Sequence, residues 1–129
     1  MPSDFEGRTR VVQWCFAAVS TVAPTLSLLA LGDAAGLGDE GRKGWVKIAK
    51  RWLDGLEQSL DGREWIACKE FTVADILLAT VLREVRTTDL MVPYPRLKDY
   101  YARAVARPAW ERALGLYAER LGVPVADIR

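Results

Sequence analysis

The 129-residue chain contains no histidine. That absence removes the commonest general base and the commonest metal ligand, so Ser-His-Asp, Cys-His and His-metal chemistry are excluded within it. Cysteine is scarce: Cys15 and Cys68 stand far apart and form no C-x-x-C. Two isolated thiols fit a reducing, cytoplasmic setting and read as structural rather than reactive. Net charge is also nearly absent, +1 from 18 basic and 17 acidic residues. It leaves no electrostatic footprint for nucleic acid or an anionic membrane surface. No apolar run is expected to reach the ~20 residues needed to cross a bilayer. The longest candidate, VVQWCFAAVSTVAPTLSLLAL, carries Gln, Ser, Thr and Pro, and it lacks the basic start and small-residue cleavage site of a signal peptide. There is no convincing strand pair, repeat or low-complexity tract.

What is present is an ordinary globular balance, 50% apolar and 27% charged. A chain of this length can bury roughly 65–70% of its unfolded surface, enough for one domain with one core. Apolar residues at three-and-four spacing (Val11, Trp14, Cys15, Ala18, Val19, Val22) predict a helix from about Asp4 to Leu31. Pro24 should kink it, because proline has no amide hydrogen and clashes with the carbonyl four residues back. GDAAGLGDEGRKG reads as a glycine-rich loop. A second helix follows from about Gly41 to Leu60, with Trp45, Ile48, Trp52, Leu56 and Leu60 in one stripe. The third begins after Thr72 and is apolar almost all round, as expected of a helix surrounded by others. VPYP breaks the chain before a fourth helix, RLKDYYARAVA, and Pro108 suits the first turn of a fifth, PAWERALGLYAERL. The tail GVPVADIR is expected to run extended. The sum is an all-α bundle of five or six helices over residues 1–129, with 121–129 as a tail.

The start of the third helix is FTVAD. With Thr72 as N-cap, its hydroxyl can accept the amide three residues on, at Asp75, while the Asp75 carboxylate reaches back to the Thr72 amide, a capping box. Phe71 before the cap and Ile76 in the next turn are placed to close a hydrophobic staple. The carboxylate also sits at the positive end of the helix dipole. A central helix cannot leave its first amides to water, so these residues read as structural rather than catalytic. The five tryptophans likewise read as core packing, and Lys47, Lys50 and Arg51, like Arg83 and Arg86, as solvated faces.

FTVADI after LDGREWIACKE resembles the central helix of the C-terminal domain of glutathione transferases. EGRTRVVQWCFAAVSTVAPTL is similar to that domain's first helix, and YPRLKDYYARAVARPAWERAL to its later helices, so the resemblance runs from about Pro2 to Leu121. It implies the all-helical fold of that domain, in a cytoplasmic bacterial-type enzyme that joins glutathione, its co-substrate, to an electrophile or reduces a peroxide or disulfide. It also implies a partner within the enzyme: a thioredoxin-like domain, which supplies nearly all the glutathione site and the residue that steadies the thiolate. No β-α-β pattern or cis-proline loop matches that domain here, so the sequence reads as an excised domain, and no catalytic residue or metal ligand is expected in it.

The resemblance places the wall for a small hydrophobic electrophile on Phe16, Ser20, Thr21, Ala23, Pro24 and Ser27, with Leu26 and Ala30 alongside. Apolar groups favour such a substrate by desolvation and hydroxyls orient it; alternatively these residues pack against the absent domain. Many relatives carry an acidic residue or a His-Lys pair where this chain has Ala23-Pro24, so a carboxylate contact to the glutathione of a partner subunit does not carry over. Thr21 is the nearest substitute, and a neutral hydroxyl is the weaker partner for an ammonium. The resemblance also implies a homodimer through the first two helices, whose Val11, Trp14, Val19, Trp45 and Trp52 exceed the needs of one internal face. The alternative is a non-catalytic protein-interaction module, since similar domains are attached to translation factors and aminoacyl-tRNA synthetases. A standalone ligand-binding bundle would need a closed cavity.

Overall fold

A computed structural model describes residues 1–128, and all regular structure among them is helical. The chain forms α1 (Phe5–Ala17), a π-helical turn (Ala18–Val22), α2 (Ala23–Leu31), α3 (Asp39–Ser59), α4 (Val73–Arg83), α5 (Pro95–Val105), α6 (Pro108–Leu121) and α7 (Val125–Ile128). Short 3₁₀ turns occupy Gly32–Ala35 and Asp89–Met91. One core cluster joins Val11, Ala18, Val22 and Leu26 of the first helical run to Leu53 and Leu56 of α3, Leu78 and Leu82 of α4, and Leu97 and Tyr100 of α5.

Three expectations are corrected. The first helical run continues past Pro24 through the π turn, in which the Ala23 amide reaches back to the Ala18 carbonyl. The resulting helix, Phe5–Leu31, is long and apolar enough to cross a membrane by length and composition, contrary to the reading of the sequence. Its inner face (Val11, Ala18, Val22, Leu26, Leu29) is built into the bundle core. The glycine-rich loop is shorter than expected, because α3 already begins at Asp39. Asp39 and Glu40 suit the positive end of the helix, and Glu40 pairs with Lys43. The tail is not extended: α6 stops where Gly122 takes the left-handed conformation (φ 66°), which a Cβ would disfavour, and the chain turns into α7.

The capping box at Thr72 is formed, and Asp75 does more than cap. Its side chain is fully buried and accepts four hydrogen bonds. Oδ2 takes the Thr72 amide at 2.7 Å and the Thr72 hydroxyl at 3.1 Å. Oδ1 takes the Ile66 amide at 2.9 Å and the Tyr100 hydroxyl at 3.0 Å. The Thr72 hydroxyl oxygen in turn accepts the Ala74 amide at 3.3 Å. One side chain thus ties together the irregular segment 61–72, the start of α4 and the middle of α5. Burial, then the Asp75 charge and its hydrogen bond, push the Tyr100 phenol well above its ordinary range, with Arg103 opposing; Tyr100 is therefore a neutral donor. Aromatic packing braces the same segment: Trp65 meets Phe71 edge-on at 4.8 Å and Tyr100 at 6.0 Å, and the Arg107 guanidinium lies 3.9 Å from the Phe71 ring centre.

The start of α5 is capped from another helix. Tyr94 offers it no side-chain cap; instead Glu57 of α3 accepts the amides of Arg96 (3.1 Å) and Leu97 (2.9 Å). The Tyr94 hydroxyl reaches back to Asp54 Oδ1 at 2.9 Å and the Lys50 carbonyl at 3.3 Å, pinning the α4–α5 connection to α3.

Asp75→Ala leaves the buried Ile66 and Thr72 amides and the Tyr100 hydroxyl without an acceptor. At about 1–3 kcal/mol for each buried unsatisfied group, a loss of about 3 kcal/mol or more is expected in urea unfolding. A loss below about 1 kcal/mol would contradict this role. Tyr94 is pushed up to about 12, first by burial and then by Asp54 and Glu57. An unfolded tyrosine titrates near ~10, so between these values the unfolded chain releases its proton first. This part of the stability is present below about pH 10 and is lost as pH rises toward 12. Tyr94→Phe should flatten stability against pH in that window, and an unchanged slope would contradict the assignment.

Candidate functional site

The expected wall residues fall on one outward stretch around the π turn. Phe16, at the end of α1, is 66% exposed, Ser20 and Pro24 are exposed, and Thr21, Ala23 and Ser27 are partly covered. The Ser20 hydroxyl is spent on the Phe16 carbonyl. That of Thr21 faces Ser20 at 3.4 Å. From Val11 to Gly32 the sequence contains no charged side chain. The stretch is therefore a neutral surface with a few hydroxyls, and the clefts described below are lined by other residues. Leu26, expected alongside it, is buried in the core.

The central helix is not enclosed all round, contrary to expectation. Val73 is 44% and Ile76 48% exposed, while Asp75, Leu78, Ala79 and Leu82 are buried. The two halves of the expected staple lie in different surroundings. Phe71 is partly buried beside Trp65 and Arg107, and Ile76 lines an open cleft of about 390 Å³ with Thr80, Arg83, Trp110, Leu114 and Tyr117. Val12 and Val19 of the first helical run are also exposed. Val11, expected at a subunit interface, is instead core, and Trp14 and Trp45 pack partly against it. Trp65 is buried and Trp110 partly buried, but Trp52 and Ile48 show an open apolar face on α3. Lys47, Lys50 and Arg51 are exposed as expected; Arg83 and Arg86 are half-buried rather than solvated.

Neither thiol forms a disulfide. Burial and then the Asp75 charge push the Cys15 thiol up, away from the thiolate a nucleophile needs. The described residues form no cluster of His, Cys, Asp and Glu able to hold a metal ion.

This arrangement, a helical bundle around a central helix capped by a buried carboxylate, defines the class, and comparison with known proteins gives the family. Residues 30–103, more than half the chain, match the model of the glutathione S-transferase C-terminal domain, and the chain belongs to that family. It is 34% identical over 71 residues to glutathione S-transferase TCHQD of Arabidopsis thaliana, covering 52% of this chain and 27% of that protein. Its fold is similar to a glutathione transferase of Burkholderia graminis solved with two glutathione molecules per subunit. That match has a TM-score of 0.78 and 29% identity over 87% of this chain and 51% of the other. A glutathione transferase family member from Pseudomonas fluorescens, also solved with two glutathiones, has the same fold at a TM-score of 0.77 and 24% identity, covering 87% and 54%. The chain therefore spans about half the length of these solved relatives and about a quarter of the Arabidopsis protein.

Proposed function

We propose that this chain is the helical half of a glutathione transferase. In this reading it supplies the wall for the second substrate and the docking face for a thioredoxin-like domain that holds glutathione. The observation that carries it is the uncovered apolar surface of α4 and of the first helical run. The α4 sequence is apolar almost all round, yet Val73 and Ile76 stand open. A helix of that composition is stable when covered, and the match takes in only 51% and 54% of these two relatives.

In the complete enzyme the glutathione thiolate attacks an electrophilic carbon, a sulfur–carbon bond forms, and the leaving group departs with its electron pair. The chain contributes position and desolvation to that step. Phe16, Ala23 and Pro24 offer apolar contact, and Ser20, Thr21 and Ser27 offer hydroxyls. The Burkholderia structure with two glutathiones suggests a second reading, in which a disulfide or second thiol sits against the wall. A glutathione carries two carboxylates, however, and the uncharged stretch Val11–Gly32 offers them no cation. A neutral apolar electrophile is the better match. The open Ile48 and Trp52 of α3 support a homodimer, and the free thiols fit a reducing cytoplasm.

Conjugation of glutathione to 1-chloro-2,4-dinitrobenzene should be absent with the isolated chain and appear when a thioredoxin-like glutathione domain precedes it in one polypeptide. In that enzyme Phe16→Ala should raise KM for the electrophile several-fold and leave KM for glutathione nearly unchanged. Turnover by the isolated chain contradicts the proposal. So does a folded two-domain protein that binds no glutathione, the result expected of a protein-interaction module.

A further inference from the structure

The π turn under the candidate wall changes what the wall can recognise. In an α-helix each carbonyl accepts the amide four residues on, and in a π turn the amide five on. For Val19 these are the amides of Ala23 and Pro24. The Ala23 amide bonds the Ala18 carbonyl instead, and Pro24 has no amide hydrogen. The Val19 carbonyl is therefore left without a helical donor.

Helix carbonyls point along the axis toward the next turn, so this one is aimed at Ala23 and Pro24, both residues of the wall. Val19 is 48% exposed and Pro24 is exposed. The oxygen is open to water, which a ligand donor can displace. The nearby hydroxyls are turned to other partners. Ser20 donates to the Phe16 carbonyl, Thr25 to the Thr21 carbonyl at 2.9 Å, and the Thr21 oxygen lies 3.4 Å from that of Ser20. With its hydrogen directed at Phe16, the Ser20 oxygen is left to accept. The stretch beyond the exposed Phe16 ring thus presents a main-chain acceptor next to apolar surface, fixed in place by the helix on either side.

We propose that the Val19 carbonyl selects the second substrate: a neutral electrophile that carries a hydrogen-bond donor, an amide N–H or a hydroxyl, beside its apolar body. The donor meets the Val19 oxygen while the body covers Phe16 and Ala23. Pro24 acts through the main chain, as the residue that keeps this oxygen from being used inside the helix. A site with a committed acceptor discriminates against an analogue that lacks the donor, because the oxygen is then left unpaired under the ligand. The inference rests on the reading of this stretch as the second-substrate wall, and adds which substrates that wall prefers.

The test uses the 129-residue chain and two electrophiles that differ by one N–H, 4-chloro-3-nitro-N-methylbenzamide and its N,N-dimethyl analogue, titrated by NMR without glutathione. Saturable shifts over residues 16–27 are expected with both. The N-methyl probe should bind about fivefold more tightly, as one added hydrogen bond allows, and it alone should shift the Val19 carbonyl carbon. Pro24→Ala supplies the missing amide hydrogen, so the two probes should then bind nearly alike, the dimethyl probe as it does to the parent. Pro24 is exposed, so the fold should survive, and circular dichroism checks it. Ser20→Ala/Thr21→Val, which removes the hydroxyls and keeps the carbonyl, should retain the preference. The inference is overturned if Pro24→Ala keeps the preference or if the hydroxyl double variant abolishes it. Equal binding of both probes over 16–27 overturns it and leaves the wall standing; no shift there with either probe removes the wall and the inference together.

Discussion

A buried carboxylate must find donors, and Asp75 finds four. Desolvating such a group is costly unless each lone pair is used, and here every partner is a donor: two main-chain amides, one threonine hydroxyl and one tyrosine hydroxyl. The constraint acts on the whole bundle because the donors come from three places in the sequence. The Ile66 amide fixes the irregular segment, Thr72 fixes where α4 begins, and Tyr100 fixes how α5 lies against it. Once these are set, the register of Leu78 and Leu82 against Leu97 and the first helical run follows, and with it the core.

The same arrangement explains which surfaces are left open. With its first turn held by Asp75, α4 turns Ala74, Leu78, Ala79 and Leu82 inward and leaves Val73 and Ile76 on the outside. The first helical run presents Val12, Phe16 and Val19 outward in the same way. Nothing charged interrupts that run between Arg10 and Asp33. A bundle closed by one internal tether can therefore afford a neutral apolar face, and the proposed docking of a second domain and an apolar substrate rests on it.

Much of this was legible because it rests on local rules. Thr72 and Asp75 at N-cap spacing announce their box and Pro108 announces the start of α6, whereas the stripe read on α3 was rotated: Leu56 and Leu60 are buried as expected, but Ile48 and Trp52 are exposed and Ala49 and Leu53 are buried instead. Other features needed tertiary partners. That Asp75 also accepts from Ile66 and Tyr100 depends on contacts 9 and 25 residues away, and the capping of α5 by Glu57 spans about 40. The irregularity at Pro24 was legible, but not its form, a π turn over Ala18–Val22. The start of α3 was placed two residues late, at Gly41 rather than Asp39, because the glycines outweighed, in a local reading, the acidic first turn. The candidate wall was placed by family resemblance; its outward position is seen in the structure, but no local rule in the sequence would have singled it out.

The most direct measurement is native-state hydrogen exchange of the Ile66 and Thr72 amides, the two main-chain donors to Asp75. If the carboxylate is the tether of the bundle, both should exchange only through global unfolding, with the same free energy and denaturant dependence as the core amides of α4. If Ile66, in a segment without regular structure, exchanges through small local openings while α4 stays protected, the tether is not what holds the domain together.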